Sequence, residues 1–251
     1  MKEFFLNLKS AIEFITIIPI GKKGHQSYSP ISMIRYFPLT GLIIGVLLFC
    51  FDFIVSKIWM PSIASILDVV FMVIITGAFH LDGLGDTADG LFCHQNKKRC
   101  LEIMKDSRTG IMGVIAIFCV LTIKVAGVFA VKTSLIYSQT ILLFVIVPSY
   151  SRAGMLFGIK FLNYGRKENG KGFEFFKTPL NLMDFVFLLV PVFLSFFLGT
   201  KALLLNLLFF ITIFAVLSFY KKKLNCITGD MLGAMNEITE AVLLLTAAIH
   251  F

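Results

Sequence analysis

Two long apolar runs constrain this chain more than any other feature. Gly41 to Val55 is broken only by Asp52, and Leu182 to Leu198 only by Asp184 and Ser195. With its flanks, each reaches the roughly 20 residues that cross about 30 Å of hydrocarbon. Only 15% of the residues are charged and 57% are hydrophobic, whereas a soluble domain carries about a quarter charged. Burial in lipid replaces burial in an aqueous core. The fold class this predicts is all-α: a polytopic transmembrane helix bundle, with residues 1–251 forming a single integral membrane domain.

About seven spans are predicted, at Ile34–Lys57, Pro61–Leu81, Ile111–Val131, Leu135–Ile159, Leu182–Gly199, Ala202–Tyr220 and Met231–His250. Lysines and arginines test the topology. With the N-terminus in the cytoplasm, its segments hold Lys2, Lys9, Lys22, Lys23, Arg35, Lys97, Lys98, Arg99, Lys105, Arg108, Lys160, Arg166, Lys167, Lys171, Lys177 and Lys221 to Lys223. The opposite side keeps Lys57, Lys132 and Lys201. That bias matches the positive-inside rule and predicts a multi-pass membrane protein with its N-terminus in the cytoplasm. It also explains the net charge of +8 through loop basics that meet anionic headgroups, so no nucleic acid is expected as a partner.

The first twenty residues lack a small-residue cleavage pattern and do not read as a signal peptide. Glu3 and Glu13 on a Phe- and Ile-rich segment suggest a helix lying in the interface or packed beneath the bundle. Cys50, Cys93, Cys100, Cys119 and Cys226 show neither a CxxC pair nor zinc spacing and read as free thiols.

The chemistry concentrates in 80–110 and 228–240. Asp82, Asp86 and Asp89 stand at i, i+4 and i+7, so a continuous helix aligns them on one face. Carboxylates that close repel one another unless a cation neutralises them. Magnesium suits them, because it takes oxygen ligands and keeps waters that a phosphate can replace. Gly83, Gly85 and Gly90 leave room beside them. The plainer alternative is a polar loop whose Asp-Gly pairs make turns, although that leaves the shared face of Asp86 and the nearby His80 unexplained.

Glu102 and Asp106 follow at i, i+4 with Arg108 beside them, a pattern that also fits a solvated helix face. Asp230, Glu237 and Glu240 then share one stripe of the last span. Carboxylates at that depth are costly and functional by default, so Glu237 and Glu240 must face the bundle interior. Lys124 and Arg152 lie within spans as well, and are either counter-charges or phosphate ligands.

Three motifs resemble the cobalamin synthase (adenosylcobinamide-GDP ribazoletransferase) family. They are Phe79 to Phe92 (Phe-His-Leu-Asp-Gly-Leu-Gly-Asp-Thr-Ala-Asp-Gly-Leu-Phe), Met104 to Gly110 (Met-Lys-Asp-Ser-Arg-Thr-Gly), and Thr228 to Ala234 (Thr-Gly-Asp-Met-Leu-Gly-Ala). Phe14 to Pro19 and Tyr36 to Gly45 resemble the family's opening, except that Ile17 and Ile18 stand where a basic residue is common. The likeness runs in order along nearly the whole chain.

The resemblance implies a magnesium-dependent transferase that joins adenosylcobinamide-GDP to alpha-ribazole or its 5′-phosphate and releases GMP. It implies metal ligands at Asp82, Asp86, Asp89, Asp230 and Glu237. Catalytic roles are expected at Asp82, Asp106 and Arg108, with the proton acceptor open among Asp82, Asp86, Asp89 and Asp106, and substrate contacts at His80, Gly83, Lys105, Lys124, Arg152 and Gly229. The lipid of a prokaryotic cell (inner) membrane is the expected surrounding, with the active site facing the cytoplasm. Self-association and contact with other cobalamin-assembly enzymes stay open. Two other classes are less well matched. A CDP-alcohol type phosphotransferase usually has an Ala-Arg pair soon after its first Asp-Gly, where this chain has Leu84, Gly85 and Asp86. A transporter often carries internal repeats, and none is evident.

Overall fold

The computed structural model describes residues 2–20, 30–106, 108–166 and 172–249. Lys22, Lys23, Lys167, Lys171 and His250, used above, lie outside them. Eleven helices are described: α1 (Lys2–Ile15), α2 (Pro30–Ile34), α3 (Phe37–Ile58), α4 (Pro61–Ile75), α5 (Phe79–Leu91), α6 (Lys97–Ile103), α7 (Ile111–Ser134), α8 (Tyr137–Phe161), α9 (Leu189–Ser195), α10 (Thr200–Lys223) and α11 (Gly229–Ala247). The chain is all-α and polytopic. α3, α7, α8 and α10 are long and apolar enough to cross a membrane, and a fifth crossing exists if α4 and α5 count as one broken span.

Against the seven spans expected, three segments take other forms among the described residues. The second ends at Ile75, and α5 leaves α4 at 88°. Gly77 (φ 59°) and Ala78 (φ 57°) make that corner in the left-handed region, which glycine enters freely and alanine at a cost. A side chain at residue 77 would also stand 2.7 Å from Ile17 Cγ2. The fifth expected span, 182–199, is a short α9 flanked by 3-10 turns. There Asp184 bonds back to the Asn181 amide and pairs with Arg35 at 3.0 Å. The seventh is α11, whose Asp230, Glu237 and Glu240 make it too polar to face lipid. It is instead enclosed by α5, α7, α8 and α10.

Close helix packing does the remaining work. Gly41 and Gly45 form a small-xxx-small stripe on α3. A Cβ on Gly41 would lie 2.3 Å from the Pro148 carbonyl, and one on Gly45 2.5 Å from the Phe144 carbonyl. Backbone therefore meets backbone between α3 and α8, the contact that replaces hydrophobic driving force in lipid. Ser149 Oγ adds a 2.8 Å bond to the Pro38 carbonyl. α1 packs against α3 through Ala11, Ile12 and Ile15 while Phe5 stays exposed, which realises the packed N-terminal helix.

Candidate active site

α5 is helical through all three aspartates, with Leu81, Leu84, Ala88 and Leu91 buried on its other side. Asp82 is exposed, and Asp86 and Asp89 are half-buried. The carboxylates of Asp82 and Asp86 receive no hydrogen bond or ion pair among the described residues. Asp86 feels the charges of Asp82, Asp230, Asp89 and Arg166, so four carboxylates and one guanidinium share this end of the bundle. Residue 83 has to be glycine: a Cβ there would stand 2.8 Å from the Asp230 carbonyl oxygen and 3.0 Å from its Cα. That contact brings α11 and its Asp230 against α5.

Asp89 has a different partner. Gly110 N–H donates to its Oδ2 at 2.6 Å and Gly113 N–H to its Oδ1 at 2.8 Å. Both oxygens thus cap the N-terminus of α7, where unpaired amides and the helix dipole favour an anion. Asp230 lies in the first turn of α11 behind the N-cap Thr228, which accepts from Met231 N–H at 3.2 Å. Its Oδ2 accepts from Arg166 Nη2, and a second bond from the same nitrogen reaches the Met104 carbonyl at 3.1 Å. Arg166 is placed by a two-bond bridge, Gly165 N–H to the Ile227 carbonyl (2.8 Å) and Ile227 N–H to the Asn163 carbonyl (3.0 Å). The sequence had left Arg166 without a role; its partner lies 64 residues away, and no local spacing signals such a pair.

Asp106 and Arg108 form a fork at the rim. Arg108 Nε donates to Oδ1 at 3.0 Å and Nη2 to Oδ2 at 2.6 Å. The guanidinium, helped by the Arg108 amide, pulls the Asp106 carboxyl down to about 2. Lys105 is exposed beside them, and Gly229 opens α11 with nothing within 4 Å of its missing Cβ.

Several expected site residues lie elsewhere. His80 is fully buried, its Nδ1 3.2 Å from Asn236 Nδ2. Glu237, two turns or about 10 Å along α11 from Asp230, is not among the α5 carboxylates. It accepts from Lys124 Nζ at 2.6 Å. Arg152 Nη1 donates to Glu240 Oε2 at 2.8 Å, with Lys124 Nζ 3.7 Å from the same oxygen. Lys124 and Arg152 thus act as counter-charges in this structure, balancing two buried glutamates with two cations. Lys132, in the last turn of α7, is half-buried and pairs with Asp52 and Asp68. Charges inside a bundle need such partners.

The donor set of Asp82, Asp86 and Asp230 is all oxygen, which fits a hard cation. Among the described residues no three Asp, Glu, His or Cys groups converge tightly enough to enclose an ion by themselves.

Fold and site together define a multi-pass helical membrane protein with an acidic site at one end of its bundle. The profile of the cobalamin-5-phosphate synthase family matches residues 7–248, and the chain belongs to that family. Similar proteins named adenosylcobinamide-GDP ribazoletransferase occur in Clostridium novyi (37% identical, covering 95% of each chain) and Desulforamulus reducens (35% identical, covering 94% of this chain and 93% of the relative). A third, from Alkaliphilus metalliredigens, is 37% identical over 94% of this chain and 92% of its own. No solved structure matches.

Proposed function

We propose that this protein transfers the adenosylcobinamide-phosphate moiety of adenosylcobinamide-GDP to alpha-ribazole or its 5′-phosphate, releasing GMP. The observation that carries the reading is the pair of carboxylates, Asp82 and Asp86, that have no partner among the described residues and face Asp230 at the end of a membrane bundle, in a chain of this family. A ribose hydroxyl of the ribazole attacks the phosphorus bonded to the aminopropanol arm. A new P–O bond forms, the bond to the GMP oxygen breaks, and GMP leaves as the phosphate monoester.

Asp86 and Asp230 would hold magnesium, which when bound offsets the negative charge on the diphosphate and the transferring phosphorus. Asp82, the most exposed of the acidic group, takes the hydroxyl proton. Asp106 is a poorer acceptor, since Arg108 holds its carboxyl at about 2. That exposed fork is a weak interaction, so Arg108 can exchange Asp106 for a phosphate oxygen at little cost. Asp89 keeps the α7 N-terminus in place beside them. The basic loops orient the acidic end toward the cytoplasm of a prokaryotic cell.

The test is GMP release by purified protein in lipid, given adenosylcobinamide-GDP, alpha-ribazole and magnesium. Release requires all three. It disappears in Asp82→Asn, while Asp86→Asn keeps turnover only at magnesium concentrations raised about tenfold or more. No release from folded wild-type protein, or full turnover by Asp82→Asn, refutes the reading.

A further inference from the structure

A second cavity flanks the acidic site and is not used by the chemistry above. It is an open groove of about 540 Å³ between α6 and the segment that carries Arg166, within the usual size of a small-molecule pocket. Lys97, Lys98, Leu101, Glu102, Lys105 and Arg166 line it. The wall itself is mostly apolar, and the four cations and one carboxylate of these residues leave three positive charges around it, a surplus that suits a phosphate carrying more than one negative charge. Arg166 joins the two spaces, since its Nη2 holds Asp230 while its Nε is buried without a partner. Leu101 and the aliphatic stems of the lysines supply a wall for a flat ring.

Glu102 is the group that does not belong in a simple anion pocket. Among the described residues its carboxylate pairs with Arg99 alone, at 3.2 Å and with both side chains largely exposed, an interaction easily exchanged. A carboxylate is acceptor-only. Among the common bases, guanine alone presents two adjacent donors, N1–H and the 2-amino group, that a carboxylate can accept together. Adenine and cytosine set an acceptor beside their amino group, and uracil flanks its N–H with two carbonyls.

We propose that this cavity holds the guanosine nucleotide half of the substrate and the departing GMP, with the lysines and Arg166 on its phosphate and Glu102 reading the guanine edge. The assignment rests on the ribazole-transfer reading, and it makes Glu102 the residue that sets base specificity. The probes are GMP, AMP and inorganic phosphate, titrated calorimetrically into the full chain in phosphatidylcholine nanodiscs. Lys98 and Glu102 are exposed, so Lys98→Ala and Glu102→Gln leave the fold intact.

Wild-type protein is expected to bind GMP at least about tenfold more tightly than AMP, and Glu102→Gln to bring the two within about threefold. Lys98→Ala weakens GMP, AMP and phosphate together and leaves their ratio unchanged. Equal binding of GMP and AMP to the wild type, or unaltered GMP affinity in both variants, overturns the proposal. So does a Lys98→Ala effect confined to adsorption on phosphatidylglycerol vesicles, which would assign the cations to a lipid headgroup. The two readings fail separately. GMP binding without GMP release from adenosylcobinamide-GDP would refute the reaction, whereas normal release with base-blind binding would refute the pocket.

Discussion

Gly83→Ala is the most informative single change, because its consequence can be worked from contact distances. The added methyl would sit 2.8 Å from the Asp230 carbonyl oxygen, 3.0 Å from its Cα and 3.3 Å from its carbonyl carbon. All three are backbone atoms of α11, so no flexible side chain can move aside. Restoring ordinary contact at about 3.4 Å requires α5 and α11 to part by roughly 0.6 Å. Overpacking of this kind costs about 1–3 kcal/mol. It also separates Asp82 and Asp86 from Asp230. Misplacement by about 1 Å at a reacting centre can cost about a hundredfold, so turnover should fall on the order of tenfold to a hundredfold.

The assay pairs GMP release with thermal melting in detergent. Gly229→Ala is the stability control, since nothing lies within 4 Å of its Cβ position. A Gly83→Ala protein with wild-type melting and wild-type turnover would refute the claim that this glycine sets the spacing of the site. A large melting shift in Gly229→Ala would refute the contact reasoning itself.

Three further outcomes follow from the partners described. Lys124→Met strands Glu237 in the bundle and should destabilise by about 3–5 kcal/mol; Lys124→Met combined with Glu237→Gln should lose less than the two single changes summed, and additivity in chemical denaturation would contradict the pairing. Asp89→Ala leaves the Gly110 and Gly113 amides without their acceptor, at a cost of up to about 2 kcal/mol. Asp89→Asn should recover part of it, and hydrogen exchange at those amides decides. Arg108→Gln removes the guanidinium that holds Asp106 down and keeps the residue-108 amide, so the carboxyl should titrate upward from about 2 part of the way toward the ordinary range, as followed by carbon NMR; an unchanged midpoint would refute the fork.

Much of the architecture is legible in one dimension because it depends on local quantities. Apolar run length announces membrane helices, and the loop lysines predict which ends share a side. The spacing of Asp82, Asp86 and Asp89 puts them on one helix, since helical geometry relates residues three and four apart wherever the helix lies. Two departures from this reading are also local once seen. The left-handed pair Gly77 and Ala78 turns α5 out of the second span, and the polar stripe of α11 forces it inside a ring of other helices.

What composition and spacing determine, then, is which charges cannot face lipid; what they leave undetermined is which partner neutralises each one. Glu237 meets Lys124 across 113 positions of sequence, Arg152 meets Glu240 across 88, and Asp230 meets Arg166 across 64. Those pairings depend on the rotation and depth of each helix against its neighbours, which glycine contacts such as Gly83 on Asp230 and Gly45 on Phe144 establish. Asp89 shows the same division within one motif. Its position beside Asp82 and Asp86 follows from the chain, but only the approach of the α7 N-terminus turns it from a free carboxylate into a helix cap.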